Sequence, residues 1–316
     1  MQWEEYMYRY VIKRLLLTIP VLLGVVFVVF AIMSFTPGDP GTLILGITAE
    51  KADIAALNHE LGYDRPFLTR FINYLWNAVT RLDFGVSYRT RTPVFDEILT
   101  RFPHTLKLSL LSIVISSIVG VSLGILSAVK QYSFIDNFSI VLAMFFAAIP
   151  GFWFGMMLIL FFALQLGWFP SNGIETWKSF ILPSITISVG GAAGLLRLTR
   201  STMLETIRQD YVRTARAKGA SESAVIWKHS LKNALLPVIT TMGTIFGYSL
   251  GGAIIAETVF AMPGLGTHIV TAIRQKDVPV VLSSTLFLAV MFCLIILLVD
   301  LLYAFIDPRI KAKYSR

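Results

Sequence analysis

Charge is laid along this chain in blocks, and that segregation limits what it can fold into more than any single motif does. Six stretches contain no Asp, Glu, Lys or Arg: Leu15–Gly38, Leu108–Val129, Asn137–Ile174, Ser179–Leu196, Asn233–Ala256 and Val278–Val299. Each is at least ~18 residues long, which a helix rising 1.5 Å per residue needs to cross a hydrocarbon core of about 30 Å. The 316 residues are 55% apolar and 15% charged, with a mean hydropathy of +0.71; soluble domains carry about 25% charged residues. The pattern predicts an all-α membrane protein with six transmembrane helices, near 15–36, 106–129, 138–166, 180–199, 234–256 and 280–304.

Orientation follows from the basic residues, which collect on the cytoplasmic side of short loops. With the N-terminus inside, the inner segments hold sixteen: Arg9, Lys13, Arg14, Lys130, eight between Arg197 and Lys232, and Arg309, Lys311, Lys313 and Arg316. The two short outer loops hold Lys178, Arg274 and Lys276. Both termini are therefore expected in the cytoplasm, as a lead at 1–14 and a tail at 307–316. The formal charge of +8 reflects this topology and no nucleic-acid partner, since the excess is juxtamembrane. The first apolar run is too long for a signal-peptide core and is expected to stay as a span. Cys293, the single cysteine, lies in the last run and excludes an internal disulfide.

Between the first and second spans, 37–104 carries its own helical patterning, at Ala49–Leu61 and at Phe67–Leu82, where Phe67, Phe71, Leu75 and Val79 recur every fourth residue. A small outer helical subdomain lying on the membrane is expected there. Pro150-Gly151 falls within the third span and predicts a kink or break. The fourth span carries Gly190, Gly191 and Gly194, and the fifth has Gly243, Gly247 and Gly251 at spacing four, a ladder suited to close helix packing. Glu257 is expected in the outer loop after the fifth span, and Asp300 is the acid expected to touch the membrane.

The longest polar interruption on the inner side is Arg197–Pro237, with eight basic residues against Glu205, Asp210 and Glu222. Gly219 is placed to stop a helix running from about Tyr211 to Lys218, because glycine takes the left-handed conformation without a Cβ penalty. A second short helix then starts from a cap on Ser221. Its Trp227, Leu231 and Leu235 form a narrow apolar stripe on a basic background. Two readings stay open on these residues alone: a solvated loop, or a docking element for a soluble partner.

Chemistry of the chain's own is not in evidence. Asp83-Phe84-Gly85 matches a kinase metal-binding tripeptide, without the glycine-rich and catalytic loops that give it meaning. Gly247-Tyr-Ser-Leu-Gly251 fits an esterase pattern around Ser249, but that needs a strand-to-helix elbow and a histidine. His59, His104, His229 and His268 all lie away from the span centres. No catalytic residue, metal ligand or cofactor site is expected.

The central stretch resembles the cytoplasmic loop of type I ABC importer permeases. The matching residues are Arg213-Thr214-Ala215, Gly219 and Leu236-Pro237, with Arg213 and Thr214 replacing the acid and first alanine of the common motif. Asp210–Gly219 and His229–Pro237 are similar to the dipeptide, oligopeptide and nickel permeases in particular. So are Pro37-Gly-Asp-Pro40, Asp83-Phe-Gly-Val-Ser87, Ile149–Gly155, Leu198–Met203, Glu257–Phe260, Pro263–Gly266 and Asp307-Pro-Arg309. Before the last span, Gln275-Lys-Asp-Val-Pro279 departs from the Arg-Asp-Tyr-Pro of many relatives.

The resemblance implies a transmembrane domain over 105–306 with a coupling loop at 201–232, in a bacterial inner membrane. It implies a half-pore for di- or oligopeptides, paired with a second, similar permease. Two cytoplasmic ATPase subunits would drive it, and an extracytoplasmic binding protein would deliver the solute. Nickel or another small solute is the alternative cargo, and an ion-coupled carrier the alternative mechanism. The implied coupling residues are Arg213, Thr214, Ala215, Gly219, Ser221, Trp227, Leu231 and Pro237; Pro150, Gly151, Gly243, Gly247 and Gly251 are the candidates for helix packing or gating.

Overall fold

The computed structural model describes residues 2–36 and 38–306. The expected tail at 307–316, with its Asp307-Pro-Arg309, and Pro37 lie outside these residues. The chain is helical, with no strand among the described residues beyond an isolated bridge between Val86 and Pro93. In order, the α-helices are α1 (Gln2–Phe35), α2 (Pro40–Leu45), α3 (Lys51–Glu60), α4 (Phe67–Arg81), α5 (Val94–Val129), α6 (Phe134–Ala148) and α7 (Gly151–Leu158), followed by α8 (Ile181–Ile207), α9 (Asp210–Ala217), α10 (Glu222–Ala224), α11 (Leu231–Val259), α12 (Leu265–Gln275) and α13 (Val278–Ile306).

Among the described residues five helical segments are long and apolar enough to cross a membrane: Val11–Phe35, Val94–Val129, Trp177–Ile207, Glu222–Val259 and Val278–Leu302. A sixth forms if α6 and the helix Gly151–Gln165 count as one span, broken and bent by 101°. Pro150 makes the break, occupying the N-cap position of α7 with extended backbone. The helix that begins there ends in a π-helical turn, Ile159–Gln165.

Several helix ends differ from the sequence expectation, because a charge-free run marks only the part of a helix that can cross hydrocarbon and not where the helix stops. The helix that carries the second span starts at Val94, so 94–104 of the expected outer segment is continuous with that span in α5. The fourth continues to Ile207. Glu257, expected in a loop, lies inside the last turns of α11 with 1% of its surface exposed.

Contacts divide the chain into two bodies. One gathers Leu106–Met262 with the described residues before Ile12 and those from Phe292 to Ile306. Here α5, α7, α8 and α11 close on a core of Leu108, Leu158, Leu182, Ala253 and Phe260. Small residues permit the approach. A Cβ on Gly120 would lie 2.6 Å from the Ala192 carbonyl oxygen, and one on Gly124 would lie 2.6 Å from Thr199 Cβ, so α5 and α8 touch almost backbone to backbone. Ser116 donates to the Ser188 carbonyl across the same seam at 2.8 Å.

The other body gathers Ile12–Thr105 and Pro263–Met291. α4 lays Phe67 and Phe71 edge-on against Phe27 and Phe30 of α1, at centroid distances of 5.3 to 5.8 Å. Its polar elements are tied by side chains. Asp39 caps α2 by accepting from the Thr42 amide at 2.9 Å, Ser87 donates to Asp277 at 2.6 Å, and Ser283 donates to the Phe84 carbonyl at 2.9 Å. Glu97 and His268, both nearly buried, stand 2.9 Å apart.

Candidate functional site

Two places in the larger body carry the residues that the sequence singled out. The first is the polar connection from α8 to α11. α9 starts after an extended Gln209 and is anchored by Val212, which is fully buried. Gly219, at φ +81°, stops it: the Gly219 and Ala220 amides donate back to the carbonyls of Arg216 and Ala215 at 2.9 and 3.2 Å. A Cβ at Gly219 would meet nothing within 4 Å, so glycine is required by conformation and not by space. Ser221 then caps the next helix, accepting from the Ala224 amide at 3.3 Å. Arg216 closes the turn with two bonds to the Glu222 carboxylate, at 2.8 and 3.2 Å.

The second short helix is not a separate element. From Ala224 the chain passes through a π-helical turn, Val225–Ser230, directly into α11, giving a helix continuous from Glu222 to Val259. The π turn adds a residue to the repeat, so Trp227, Leu231 and Leu235 do not form the expected docking stripe. Leu231 instead packs inward with Ile226 against Ile125, Ala128, Met203 and Ala234. Trp227 stays 61% exposed beside the exposed Lys228 and Lys232. Arg213 and Thr214 are exposed, and Ala215 is half-buried. Pro237 lies within α11 without breaking it. The outward face of this element carries Arg213, Thr214, Ser221 and Trp227, with Tyr211, Lys218, Glu222 and Lys228 also exposed. Its inward face is fixed on the ends of α5 and α8.

A brace the sequence did not disclose holds the same end of the bundle. Asp136, fully buried at the start of α6, accepts two bonds from the Arg200 guanidinium at 2.7 and 2.8 Å. It also accepts from Ser127 Oγ and, at 2.8 Å, from the Tyr132 amide. Four donors on one buried carboxylate join the α5–α6 turn to α8, about two turns before the polar connection begins. The residues are 64 apart in sequence, and nothing local to either predicts the pairing.

The second place is the break between α6 and α7. Beside it lies a cavity of about 220 Å³ with Phe146, Gly151, Phe154, Gly190, Gly252 and Ile255 in its wall and no charged residue. The last carbonyls of α6 have no intrahelical donor, and irregular backbone at membrane depth is tolerated only where it is enclosed by protein or lines a cavity. Gly151, Gly190 and Gly252 have nothing within 4 Å of a would-be Cβ. The expected ladder divides. Gly243 and Gly247 pack on α13, where an added Cβ would lie 2.1 Å from Val299 and 3.0 Å from Phe292, whereas one on Gly251 would meet open space. Ser249 donates to its own helix at the Phe246 carbonyl and has no elbow around it. Among the described residues no cluster of His, Cys, Asp or Glu is placed to hold a metal.

Residues 120–312 match the family described as binding-protein-dependent transport system inner membrane component, and residues 7–109 match its N-terminal companion. The chain is 44% identical over 307 residues to the glutathione transport system permease protein GsiC of Escherichia coli K12, covering 97% of this chain and all of that one. The same figures hold for GsiC of Shigella dysenteriae serotype 1. Among solved structures, an inward-facing form of the MetNI methionine ABC transporter superposes with a TM-score of 0.57 at 20% identity, over 66% of this chain and 96% of that one. An amino acid ABC transporter determined with histidines gives 0.51 at 15%, over 68% and 94%. These two share the fold. The chain thus belongs to the binding-protein-dependent transport system inner membrane component family, as a type I ABC importer permease of the peptide and nickel subgroup, a transport subunit and not an enzyme.

Proposed function

We propose that this chain forms half of an import path for short peptides, with both termini in the cytoplasm and the α8–α11 connection docked on an ATPase. A second, homologous permease supplies the other half, two ATPase subunits drive the pair, and a binding protein delivers the solute to the opposite face. The observation that carries the reading is the α9–π-turn element. It presents Arg213, Thr214, Ser221 and Trp227 outward, while its inner side is welded to α5, α8 and α11. Because the π turn merges into α11, a displacement at Trp227 is transmitted along a continuous helix to Gly252 and Ile255 in the cavity wall. Coupling requires an element whose equilibrium both sites bias, and a rigid helix joining the two sites supports that role.

The cargo reading rests on likeness to the GsiC relatives, which are named for glutathione, itself a short peptide. An uncharged wall with three open glycines also suits a flexible backbone held by shape, with selection left to the binding protein. Uptake of labelled glutathione, dipeptides, a pentapeptide and nickel, in cells with and without this chain, tests it. Peptide uptake that vanishes with the chain, and returns with it, is the expected result. Uptake of nickel alone, or of peptide by the purified chain without ATPase subunits, overturns the reading.

A further inference from the structure

The smaller body holds a second cavity, of about 360 Å³, remote in sequence from the coupling element and lined by the end of α1, by α4 and by the turns around Tyr63 and Tyr88. Its chemistry differs from that of the first. Arg65 and Arg70 line it against Glu60, with the amides of Asn73 and Asn77 and the phenols of Tyr74 and Tyr88. Arg70 is half-buried. It donates to the Tyr63 carbonyl at 3.1 Å and to Ser34 Oγ at 2.7 Å, and lies 4.5 Å from the centroid of the Tyr63 ring. Among the described residues no carboxylate lies within ion-pair distance of it, although a guanidinium carries five N–H donors. The side chains of Asn73 and Asn77 and the Tyr88 hydroxyl have no hydrogen-bond partner among the described residues. Burial pushes the phenols of Tyr74 and Tyr88 up to about 12, in Tyr88 with help from the charge of Asp277, so both keep their protons. The cavity offers donors and a positive charge; Glu60 stands in its wall and Asp277 near Tyr88, but neither forms an ion pair with Arg70.

Its position says what can reach it. Phe30, Met33 and Ser34 belong to the last two turns of α1, so the cavity sits at the end of the first span, at headgroup depth. Beside it, α4 turns Leu68, Ile72, Trp76 and Val79 away from the body, each at least 60% exposed and spaced three or four apart. An exposed apolar stripe containing tryptophan, next to a span end, marks a helix lying in the membrane interface. On α4 the stripe, the face packed on α1 and the Arg70–Asn73–Asn77 face are three separate sides, which sets the cavity next to lipid.

We propose that this cavity binds the phosphate of an anionic phospholipid, with Arg70 as the charged contact, Asn73, Asn77 and Tyr88 as further donors, and acyl chains running along the α4 stripe. Charge-assisted bonds to phosphate are the strong ones. A lipid seated there ties α4 to the end of α1 and gives the smaller body a fixed footing on the membrane.

The test uses the full chain purified in mild detergent with its partner subunits, stripped of lipid and titrated in native mass spectrometry. Three probes separate the sources: phosphatidylglycerol, diacylglycerol with the same chains, and inorganic phosphate alone. Retention of one phosphatidylglycerol, no diacylglycerol and no competition by millimolar phosphate is expected. Arg70→Gln should weaken retention roughly tenfold or more. Asn73→Asp leaves every Arg70 contact in place and gives it an internal carboxylate, so it should fold as the parent does and also lose the lipid. Equal retention by Asn73→Asp and the parent, or equal retention of diacylglycerol, overturns the proposal. Displacement of the lipid by free phosphate overturns the lipid as occupant.

Discussion

At Gly120, Gly124 and Gly243 an added methyl group would lie 2.1 to 2.6 Å from the neighbouring helix, whereas at Gly151, Gly190 and Gly252 it would meet nothing within 4 Å. The first set closes the seams of α5 on α8 and of α11 on α13. The second set leaves the wall beside the α6–α7 break hollow. One residue type thus serves opposite ends, contact in one region and vacancy in the other. In the transport role proposed above, the seam moves as a unit and the hollow wall leaves room for cargo.

Enlarging a seam glycine should do the most damage. Gly243→Leu drives a side chain into Val299, and overpacking of this severity costs about 3 kcal/mol or more, a large share of a typical total of about 5–15 kcal/mol. The expected outcome is loss of the monodisperse peak in size-exclusion chromatography. Gly243→Ala should do the same to a lesser degree, since its Cβ alone would lie 2.1 Å from Val299; a Gly243→Leu variant that elutes and melts like the parent would mean that the α11–α13 seam is not closed there.

Next in size is the brace. Asp136→Ala leaves the largely buried Arg200 without its carboxylate, and breaking such a pair costs about 3 kcal/mol. The melting temperature should fall clearly. Adding Arg200→Met should recover most of the loss, because the cost lies in the orphaned charge; a double variant no better than the single would show that the pair contributes only packing.

How much of this was legible depends on the reach of each signal. The spans were readable because charge exclusion acts on every residue of a window, and Gly219 was readable because a helix stop is local. The amphipathic face of α4 followed from spacing, whereas α3 buries no residue and has no apolar face. The seam and wall glycines could not be told apart, since Gly190 and Gly191 differ only in which neighbour the helix turns toward them. The Asp136–Arg200 pair joins residues far apart in sequence. The coupling stripe failed for a subtler reason: a π turn between Val225 and Ser230 shifts the register, sending Leu231 inward and leaving Trp227 alone outside.

Gly219 gives a smaller change in stability with a large one in function. Any side chain there is held at φ +81°, a strain of about 1–2 kcal/mol, with space to spare. Gly219→Ala and Gly219→Glu should therefore melt alike. The glutamate variant alone adds a negative charge to a basic surface, and it should lose ATPase binding in pull-down and ATP-driven uptake. If both variants lose binding equally, the turn's conformation and not the charge of that surface governs docking.

The smallest effect on stability, and the sharpest cut between the two regions, comes from adjacent residues of α8. A Cβ on Gly191 would press on Ser116 at 2.9 Å and Ile245 at 3.1 Å; on Gly190 it would project into the cavity. Gly190→Leu should leave the melting temperature within the scatter of neutral substitutions, about 0.5 kcal/mol, and should block uptake by filling the wall. Gly191→Leu should do the reverse in order of cause, lowering stability first and activity only as folded protein is lost. Uptake at the parental rate by a folded Gly190→Leu variant would mean that the solute passes elsewhere, and that the open glycines serve only the movement of α7 against α8.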